Sequence, residues 1–386
     1  MIEDNIKQYI IQAISSLGEK GDFGIENISL EHPENMEHGD YSSNIAMVLA
    51  KQAKKNPLEL AQSIVDSIGE AEEIEKVEAV APGFINFTLS KEFLATELEK
   101  ISKEGEKYGK NDSLKGKKVM VEFTDPNPFK EFHIGHLYSN IVGEALSKLF
   151  ESAGAEVKRV NYQGDVGMHV AKAIWGILQK KQEFDALESK DTKERIEFMG
   201  QAYAVGATAY EENEEAKKEI VDLNDKIFGL DASIKDVYEK GREWSLEYFE
   251  EIYARLGTKF DDYYFESEVG KTGKSLVEEG LKKGVFEKSK GAVIFPGEKH
   301  GLHSRVFINS KGLPTYEAKE LGLAPTKYKD FKYDTSVIVT GNEIVEYFKV
   351  LIAALKEMNP EVGEKTKHVA HGMVRIPEGK MSSRTG

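Results

Sequence analysis

The order of apolar and polar positions divides the chain into two regions. In the first third, apolar residues recur at helical spacing in three segments, and two alternating segments, residues 75–80 and 83–89, predict strands. A polar stretch rich in Gly and Lys, residues 104–118, has the composition of a linker. We therefore predict a small α+β domain at residues 1–112, followed by a larger domain.

After this stretch the pattern alternates between strands and helices. Short apolar strands are predicted at residues 118–123 and 156–162, and helices at about 134–152 and 166–178. A strand–helix–strand–helix order is typical of a parallel sheet with right-handed crossovers.

A charged segment interrupts this alternation. Residues 181–256 predict the helices of an insertion, and residues 260–310 predict short strands and turns. The pattern of strand, helix and strand then returns, at residues 335–340, 343–355 and 368–374. We therefore predict that residues 113–386 form an α/β domain, in which a doubly wound parallel (Rossmann-type) sheet is split by a largely helical insertion.

Composition excludes several classes of chemistry. The 386 residues include no cysteine, which excludes disulfides, thiolate zinc sites and cysteine nucleophiles. No apolar run reaches the roughly 18 residues of a membrane span, and the acidic, amphipathic N-terminus does not resemble a signal peptide. We therefore expect a cytoplasmic protein with no membrane partner. The net charge of −15 argues against a dedicated nucleic-acid module, but not against an enzyme that handles RNA.

The first candidate site is the string H-I-G-H at residues 133–136, where a helix is predicted to begin soon after the first strand of the larger domain. Ligands of such sheets bind beyond the carboxyl ends of the strands, and a helix N-terminus offers free N–H groups to an anion. His133 and His136 share one helical face, and Gly135 leaves room for a purine ring. Lys130 adds a positive charge nearby. The alternative interpretation is a helix start with two surface histidines.

The second candidate is the string K-M-S-S-R at residues 380–384. Its composition suits a loop that closes over a polyphosphate. Lys380 would meet the charge that develops on a phosphoryl group under attack, and Ser382, Ser383 and Arg384 would supply further donors. A solvated basic tail is an equally good interpretation of this string alone.

Together the two strings resemble the HIGH and KMSKS signatures of class I aminoacyl-tRNA synthetases, and their context resembles arginyl-tRNA synthetases in particular. The resemblance is carried by stretches in the same order along the chain, which are D-P-N-P-F-K-E-F-H-I-G-H-L-Y-S-N, N-Y-Q-G-D-V-G, F-D-D-Y-Y-F-E-S, G-L-P-T-Y, T-G-N-E and H-G-M-V-R-I-P-E-G-K-M-S-S-R-T-G. Nearer the N-terminus, H-G-D-Y-S-S-N-I-A and A-P-G-F-I-N-F resemble the domain that this family carries ahead of its catalytic core.

The resemblance covers the whole chain and implies an arginine–tRNA ligase. Such an enzyme forms arginyl-adenylate from L-arginine, ATP and Mg²⁺, and then transfers the arginyl group to the 3′ end of tRNA-Arg. The substrate carboxylate is the nucleophile, so catalysis rests on positioning and electrostatics and needs no nucleophile from the protein. We expect a monomer without a metal site built from protein ligands.

The resemblance also implies roles for individual residues. Catalytic roles fall to Lys130, His133, His136 and Lys380. The residues implied to contact ATP are His133, Gly135, His136, Gly341, Glu343, His371, Met373, Lys380, Ser382, Ser383 and Arg384. Those implied to contact arginine are Asn127, His136, Glu266, Tyr316 and Glu320. Glu266 would pair with the guanidinium, although without the resemblance it would be interpreted as a solvated acid.

The chain departs from the family's pattern at three places. Glu320 stands where the family usually has an aspartate, so the geometry around the guanidinium must shift. Ile344 stands where the family often has a polar residue, which removes a possible substrate contact. Ser383, followed by Arg384, replaces the second lysine of the loop signature, and Lys130 is expected to compensate.

Family members continue beyond the loop into a helical anticodon-binding domain, so we expect that this chain is a fragment that binds tRNA poorly and turns over slowly. Two other functions stay open. One is another class I synthetase, which the acidic segment F-D-D-Y-Y-F-E-S disfavours because acids suit a cationic substrate. The other is a non-catalytic paralogue that acts as a binding module, supported only by Glu320 and Ile344.

Overall fold

The computed structural model describes residues 2–18 and 25–374, and it divides the chain into two compact units, Met1–Gly109 and Lys110–Gly386. The elements of the first unit are α1 (Ile2–Ser16), β1 (Tyr41–Ser43), α2 (Ile45–Ala53), α3 (Pro57–Ser67), β2 (Ile74–Val80), β3 (Phe84–Leu89) and α4 (Lys91–Glu104). The strands form an antiparallel sheet in the order β1-β3-β2. Buried side chains of α1, α3 and β3 form much of its core, among them Ile6, Ile10, Ile14, Leu60, Ile64, Ile85 and Phe87.

The second unit begins with a strand and alternates with helices as predicted. Its first half contains β4 (Lys118–Glu122), α5 (Ile134–Ser152), β5 (Glu156–Gln163), α6 (Met168–Gln179), α7 (Lys181–Ala186), α8 (Thr192–Glu212), α9 (Glu214–Gly229) and α10 (Lys235–Leu256). Its second half contains β6 (Asp262–Phe265), α11 (Glu266–Lys283), β7 (Glu287–Ser289), β8 (Ala292–Phe295), β9 (Arg305–Ile308), α12 (Tyr316–Asp330), β10 (Thr335–Gly341), α13 (Val345–Met358), α14 (Pro360–Lys365) and β11 (Thr366–His371).

Five parallel strands form the central sheet of this unit, in the order β11-β10-β4-β5-β6. The chain therefore runs outward from β4 to β5 and β6, and later continues from the other side of β4 through β10 to β11. This order confirms the predicted doubly wound α/β fold. It also places a topological switch point between β4 and β10, where ligands of open α/β sheets bind beyond the carboxyl ends of the strands.

Apolar side chains cover both faces of this sheet. On one face, Val121 and Val339 pack with Phe249 and Tyr253 near the end of α10. On the other face, the core is formed by buried side chains of β4, β5, β6, α11, α12 and the segment before β10, which are Met120, Val160, Tyr162, Tyr264, Val269, Leu323 and Tyr333. Continuous apolar strands with cover on both sides are what a buried parallel sheet requires.

Helix α6 differs from its predicted role. The sequence pattern places it as a crossover helix on the sheet, but its buried residues Val170, Ile174 and Ile177 pack into a separate helical core with α8, α9 and the first part of α10. The insertion predicted at residues 181–256 therefore packs on a helix that precedes it. The apolar stripe of a helix does not show which element buries it. The helical period of α6 therefore could not distinguish packing on the sheet from packing on the insertion.

The segment predicted as short strands and turns, residues 260–310, contains the 18-residue helix α11, and that part of the prediction is wrong. Three glycines lower the helical propensity of α11, namely Gly270, Gly273 and Gly280. Packing against α12 requires Gly273, because a Cβ there would lie 1.8 Å from the carbonyl oxygen of Ala318. Close approach of these two helices positions the residues at their N-termini.

The described residues, 2–18 and 25–374, contain no helix that is both long and apolar enough to cross a membrane. The last predicted strand, residues 368–374, is observed as β11 at Thr366–His371.

We predict that Gly273→Ala destabilises the protein, because the added methyl group cannot fit against the backbone of α12. The expected loss is about 1–3 kcal/mol in the free energy of unfolding, measured by urea denaturation. Gly229→Ala, at the end of α9, is the control, since a Cβ there meets no atom within 4 Å. Equal stability of the two variants would contradict this account of the α11–α12 contact.

Candidate functional site

The two histidines of H-I-G-H cap the N-terminus of α5. Nδ1 of His133 accepts a hydrogen bond from the backbone N–H of Gly135 at 3.1 Å, and Nδ1 of His136 accepts one from the backbone N–H of His133 at 3.2 Å. Their rings are stacked, with centroids 3.6 Å apart. Because a backbone N–H can only donate, each neutral imidazole must carry its proton on Nε2.

Both imidazoles are held in the neutral form. Burial, reinforced by His133 and Lys130, lowers the pKa of His136 to about 3. Burial and Lys130 also lower the pKa of His133. The ammonium of Lys130 lies 4.8 Å from the ring centre of Tyr203. The helix N-terminus therefore combines two Nε2–H donors with a positive charge and a favourable dipole, an arrangement suited to an anion.

Helix α5 also joins the two halves of the sheet at the switch point. Oγ of Ser139 accepts a hydrogen bond from the N–H of Thr124, just after β4, at 3.1 Å, and it donates one to the carbonyl of Val339 in β10 at 3.0 Å. The ring of Tyr138 meets the edge of His371, at the end of β11, with centroids 4.6 Å apart. The position of the first histidine string is therefore fixed relative to the ends of β10 and β11.

The remaining residues assigned to ATP lie at the ends of β10 and β11. Gly341 ends β10, and a Cβ there would lie 2.2 Å from a carboxylate oxygen of Glu343. Nδ1 of His371 donates to the carbonyl of Gly372 at 2.7 Å, which leaves a buried Nε2 without a partner in the part of the chain that the structure describes. Met373 is 38% exposed. The loop residues assigned by resemblance, which are Lys380, Ser382, Ser383 and Arg384, lie outside the described residues.

A second group of assigned residues meets around Gly164, just after β5. Oδ1 of Asn127 accepts the N–H of Gly164 at 3.1 Å. A Cβ on Gly164 would lie 2.5 Å from that Oδ1 and 3.2 Å from Oε1 of Glu266. The structure therefore brings Asn127 and Glu266, which are 139 positions apart in the sequence, next to the same glycine.

Glu266 is buried at the start of α11 and forms an ion pair with Lys319 of α12. Burial raises the pKa of Glu266 to about 7, against the opposing effect of Lys319. Tyr316, the first residue of α12, is 56% exposed, and its ring centre lies 4.9 Å from the ammonium of Lys319. Glu266 is thus buried, whereas the sequence without the family resemblance suggested a solvated acid.

Glu320 belongs to the same buried region. Burial and the carboxylate of Glu122 raise the pKa of Glu320 well above its ordinary value. Within residues 2–18 and 25–374, the side chain of Glu320 has no hydrogen bond or ion pair, and Lys327 opposes the rise of its pKa. Ile344, the second departure from the family pattern, is 37% exposed in the turn after β10.

Sequence reasoning missed several charged groups of this region. Glu122 and Lys327 form a fully buried ion pair of 2.5 Å. Asp125, whose Oδ1 accepts the N–H of Tyr162 at 2.8 Å, has a pKa raised well above its ordinary value by burial and by Glu122. An acid inside the apolar strand V-M-V-E-F was the available signal for Glu122, whereas nothing in the sequence links Lys319 to Glu266.

Carboxylates outnumber lysines in this buried region. The acids are Glu122, Asp125, Asp165, Glu266 and Glu320, and the cations are Lys319, Lys327 and Arg242, whose Nε lies 3.4 Å from Asp165. Two of the five acids, Asp125 and Glu320, therefore have no ion pair among the described residues, and the region suits a positively charged ligand. The hydroxyl of Tyr162, which has no partner among the described residues, has its pKa raised by burial and by Glu266 and Glu320.

Comparison with known families agrees with both units. The family of class I tRNA synthetase (R) catalytic domains matches residues 97–386, and the arginyl tRNA synthetase N-terminal domain matches residues 4–89. The chain belongs to the class I arginyl-type tRNA synthetase family. This membership agrees with the resemblance carried by the sequence motifs.

Similar proteins include the arginine–tRNA ligase of Treponema denticola, 35% identical over 94% of this chain and 62% of its own length. The arginine–tRNA ligase of Borreliella burgdorferi is 30% identical over the whole chain and 66% of its own length. The chain thus spans slightly less than two thirds of these family members.

Solved structures share the fold. The arginyl-tRNA synthetase of Thermus thermophilus superposes with a TM-score of 0.71 at 21% identity, over 99% of this chain and 67% of that one. The Plasmodium falciparum arginyl-tRNA synthetase gives a TM-score of 0.68 at 22% identity, over 96% and 65%.

We predict that His136 stays neutral with its proton on Nε2 from pH 8 to pH 5, because its Nδ1 accepts a backbone hydrogen bond. Imidazole ¹⁵N shifts of selectively labelled protein report the tautomer, and His136→Gln assigns the signal. Since the folded pKa of about 3 lies below the ordinary 6.5, the contribution of His136 to stability falls as the pH drops from about 6.5 toward 3. A titration midpoint near 6.5, or a proton on Nδ1, would contradict this geometry.

Proposed function

We propose that the chain is the catalytic part of an arginine–tRNA ligase, which activates L-arginine with ATP and transfers it to the 3′ end of tRNA-Arg. The observation that supports the proposal is that two different sites lie at the same edge of the sheet. An anion site with neutral histidines follows β4, and a buried acidic region lies beyond β4, β5 and β6. ATP and a cationic amino acid are the ligands that match this pair.

Activation requires the arginine carboxylate to attack the α-phosphate of ATP. A carboxylate oxygen forms the bond to the phosphorus while the bond from that phosphorus to the bridging oxygen of pyrophosphate breaks. We propose that the Nε2–H groups of His133 and His136 hold the phosphate oxygens as their charge changes. Lys130 and Lys380 supply positive charge, and Mg²⁺ accompanies the phosphates of ATP. A terminal ribose hydroxyl of the tRNA then attacks the adenylate carbonyl and AMP leaves.

Recognition of arginine falls to the acidic region. Glu266 is proposed to pair with the guanidinium, with Glu320 as a second acid and Tyr316 against its face. Asn127, held by Gly164, lies between this region and the start of α5, which suits the α-amino end of the substrate. The excess of two carboxylates is balanced when a guanidinium and an ammonium enter together.

The remaining ATP contacts are proposed from the ends of β10 and β11. Gly341 ends β10 and Glu343 follows it, while His371 ends β11 and Met373 follows that strand. Gly135 leaves the helix N-terminus open to a base. Lys380, Ser382, Ser383 and Arg384 complete the site in this proposal. The reaction belongs to protein synthesis and is proposed to take place in the cytoplasm, with the chain acting as a monomer.

A non-catalytic paralogue is the weaker alternative. It would have no need for neutral Nε2–H donors at a helix N-terminus, and Glu320 remains able to carry the charge of the aspartate that it replaces. Another class I synthetase is disfavoured by the acidic region, since a neutral side chain would offer no charged partner to Glu266 and would leave Asp125 and Glu320 without an ion pair.

We predict that Glu266→Gln lowers kcat/KM for arginine by at least about a hundredfold in ATP–pyrophosphate exchange, because one partner of a buried charge pair is removed. The assay uses the complete gene product with tRNA-Arg. Glu278→Gln, an exposed glutamate on the same helix, is the control and should retain wild-type exchange.

The outcomes separate the alternatives. Exchange that depends on a different amino acid identifies another synthetase. Absence of exchange with every amino acid in the wild-type protein identifies the non-catalytic paralogue. Equal losses in the two variants would remove Glu266 from the arginine site.

A further inference from the structure

The carboxylate assigned to the substrate is already bound to a lysine of the chain. The ammonium of Lys319 donates a hydrogen bond to Oε2 of Glu266, and the two side chains are only 4% and 5% exposed. A buried ion pair of this kind adds little stability compared with apolar packing of the same volume. Stability alone therefore does not explain why the ion pair between Lys319 and Glu266 is present.

The surroundings of the ammonium have the composition of a cation-binding box. Besides the Glu266 carboxylate, two aromatic rings face the nitrogen, Tyr316 at 4.9 Å and Phe228 of α9 at 5.3 Å from the ring centres. A carboxylate combined with aromatic faces is the environment in which proteins bind organic cations. The stem of Lys319 reaches this box past Gly270, where a Cβ would lie 3.8 Å from its Cγ.

The same two groups, Glu266 and Tyr316, are those assigned to the substrate guanidinium. A guanidinium that binds both oxygens of Glu266 needs the position that the ammonium holds on Oε2. We propose that Lys319 is a tethered occupant of the guanidinium site, which fills the box while arginine is absent and is displaced from Glu266 when a guanidinium enters. This inference rests on the proposed function for the identity of the incoming cation.

Charge balance permits the exchange. With Lys319 alone in the box, the carboxyl group of Glu320 has no ion pair among the described residues, and the nearby charge of Lys327 only partly offsets the rise of its pKa. A guanidinium and a displaced ammonium together match the two carboxylates Glu266 and Glu320. Displacement also imposes a threshold, because only a ligand that binds Glu266 better than the tethered ammonium gains the site. An amino acid whose side chain is neutral, or forms only one hydrogen bond to Glu266, does not bind strongly enough to displace Lys319.

The cation-binding box is tested by adding small organic cations to a variant that lacks the Lys319 ammonium. Lys319→Ala should lower the melting temperature by about 5–10 °C, and methylguanidine or methylammonium at millimolar concentration should restore part of this loss in a saturable way. With methylammonium, which binds Glu266 no better than the tethered ammonium does, the wild-type protein and the control Lys329→Ala, an exposed lysine on the same helix, should show no saturable response. If Lys319→Ala does not fold, Lys319→Met keeps the volume of the stem.

The displacement is tested on the unaltered protein. The ¹⁵Nζ signal of Lys319, assigned by its absence in Lys319→Met, should shift or disappear as arginine saturates the site, while calorimetry on the same sample measures arginine binding. Absence of cation rescue in both variants overturns the box. An unchanged Lys319 signal overturns the displacement. If calorimetry then shows that arginine binds, only the displacement of Lys319 is wrong. If calorimetry shows no arginine binding, the proposed function fails as well.

Discussion

Buried charge is the constraint on which this structure depends. Five carboxyl groups, two lysines and one arginine share the region beyond the carboxyl ends of β4, β5 and β6, and burial makes every unpaired charge there costly. The ion pair between Glu122 and Lys327 offsets part of this cost. The second pair, Glu266 with Lys319, involves the carboxylate assigned to the substrate. Asp125 and Glu320 have pKa values raised well above the ordinary range, which favours their neutral, protonated forms until a cation binds nearby.

The packing of the sheet and its helices places this region next to the anion site. The reversal of strand order between β4 and β10 opens the edge of the sheet, and Ser139 of α5 bonds to both sides of that opening. Glycines in α11 and α12 let these helices approach so closely that Glu266 and Lys319 meet near their N-terminal ends. A nucleotide at the start of α5 and an amino acid beside Gly164 would thus share one edge, which is what attack of a carboxylate on a phosphate requires.

Local patterns in the sequence predicted the alternation of strands and helices, the parallel sheet and the histidine string at a helix N-terminus. They could not predict that α6 packs on the insertion, because an apolar stripe does not identify its partner. They did not predict α11, because its glycines lower helical propensity, and the packing of Gly273 against α12 is not visible in the sequence. The resemblance named Glu266 and Glu320 as site residues, but the pairing of Glu266 with Lys319, 53 positions away, depends on how two helices pack and leaves no trace in either segment.

The central claim is that the acidic region selects a positively charged side chain. Citrulline has nearly the shape of arginine with a neutral urea in place of the guanidinium, so the difference in affinity isolates the charge. Calorimetric titration of the protein with each compound in the presence of ATP tests the claim directly. We expect arginine to bind at least about a hundredfold more tightly than citrulline, since a neutral ligand leaves buried carboxylates unbalanced. Equal affinity for the two compounds would contradict the account.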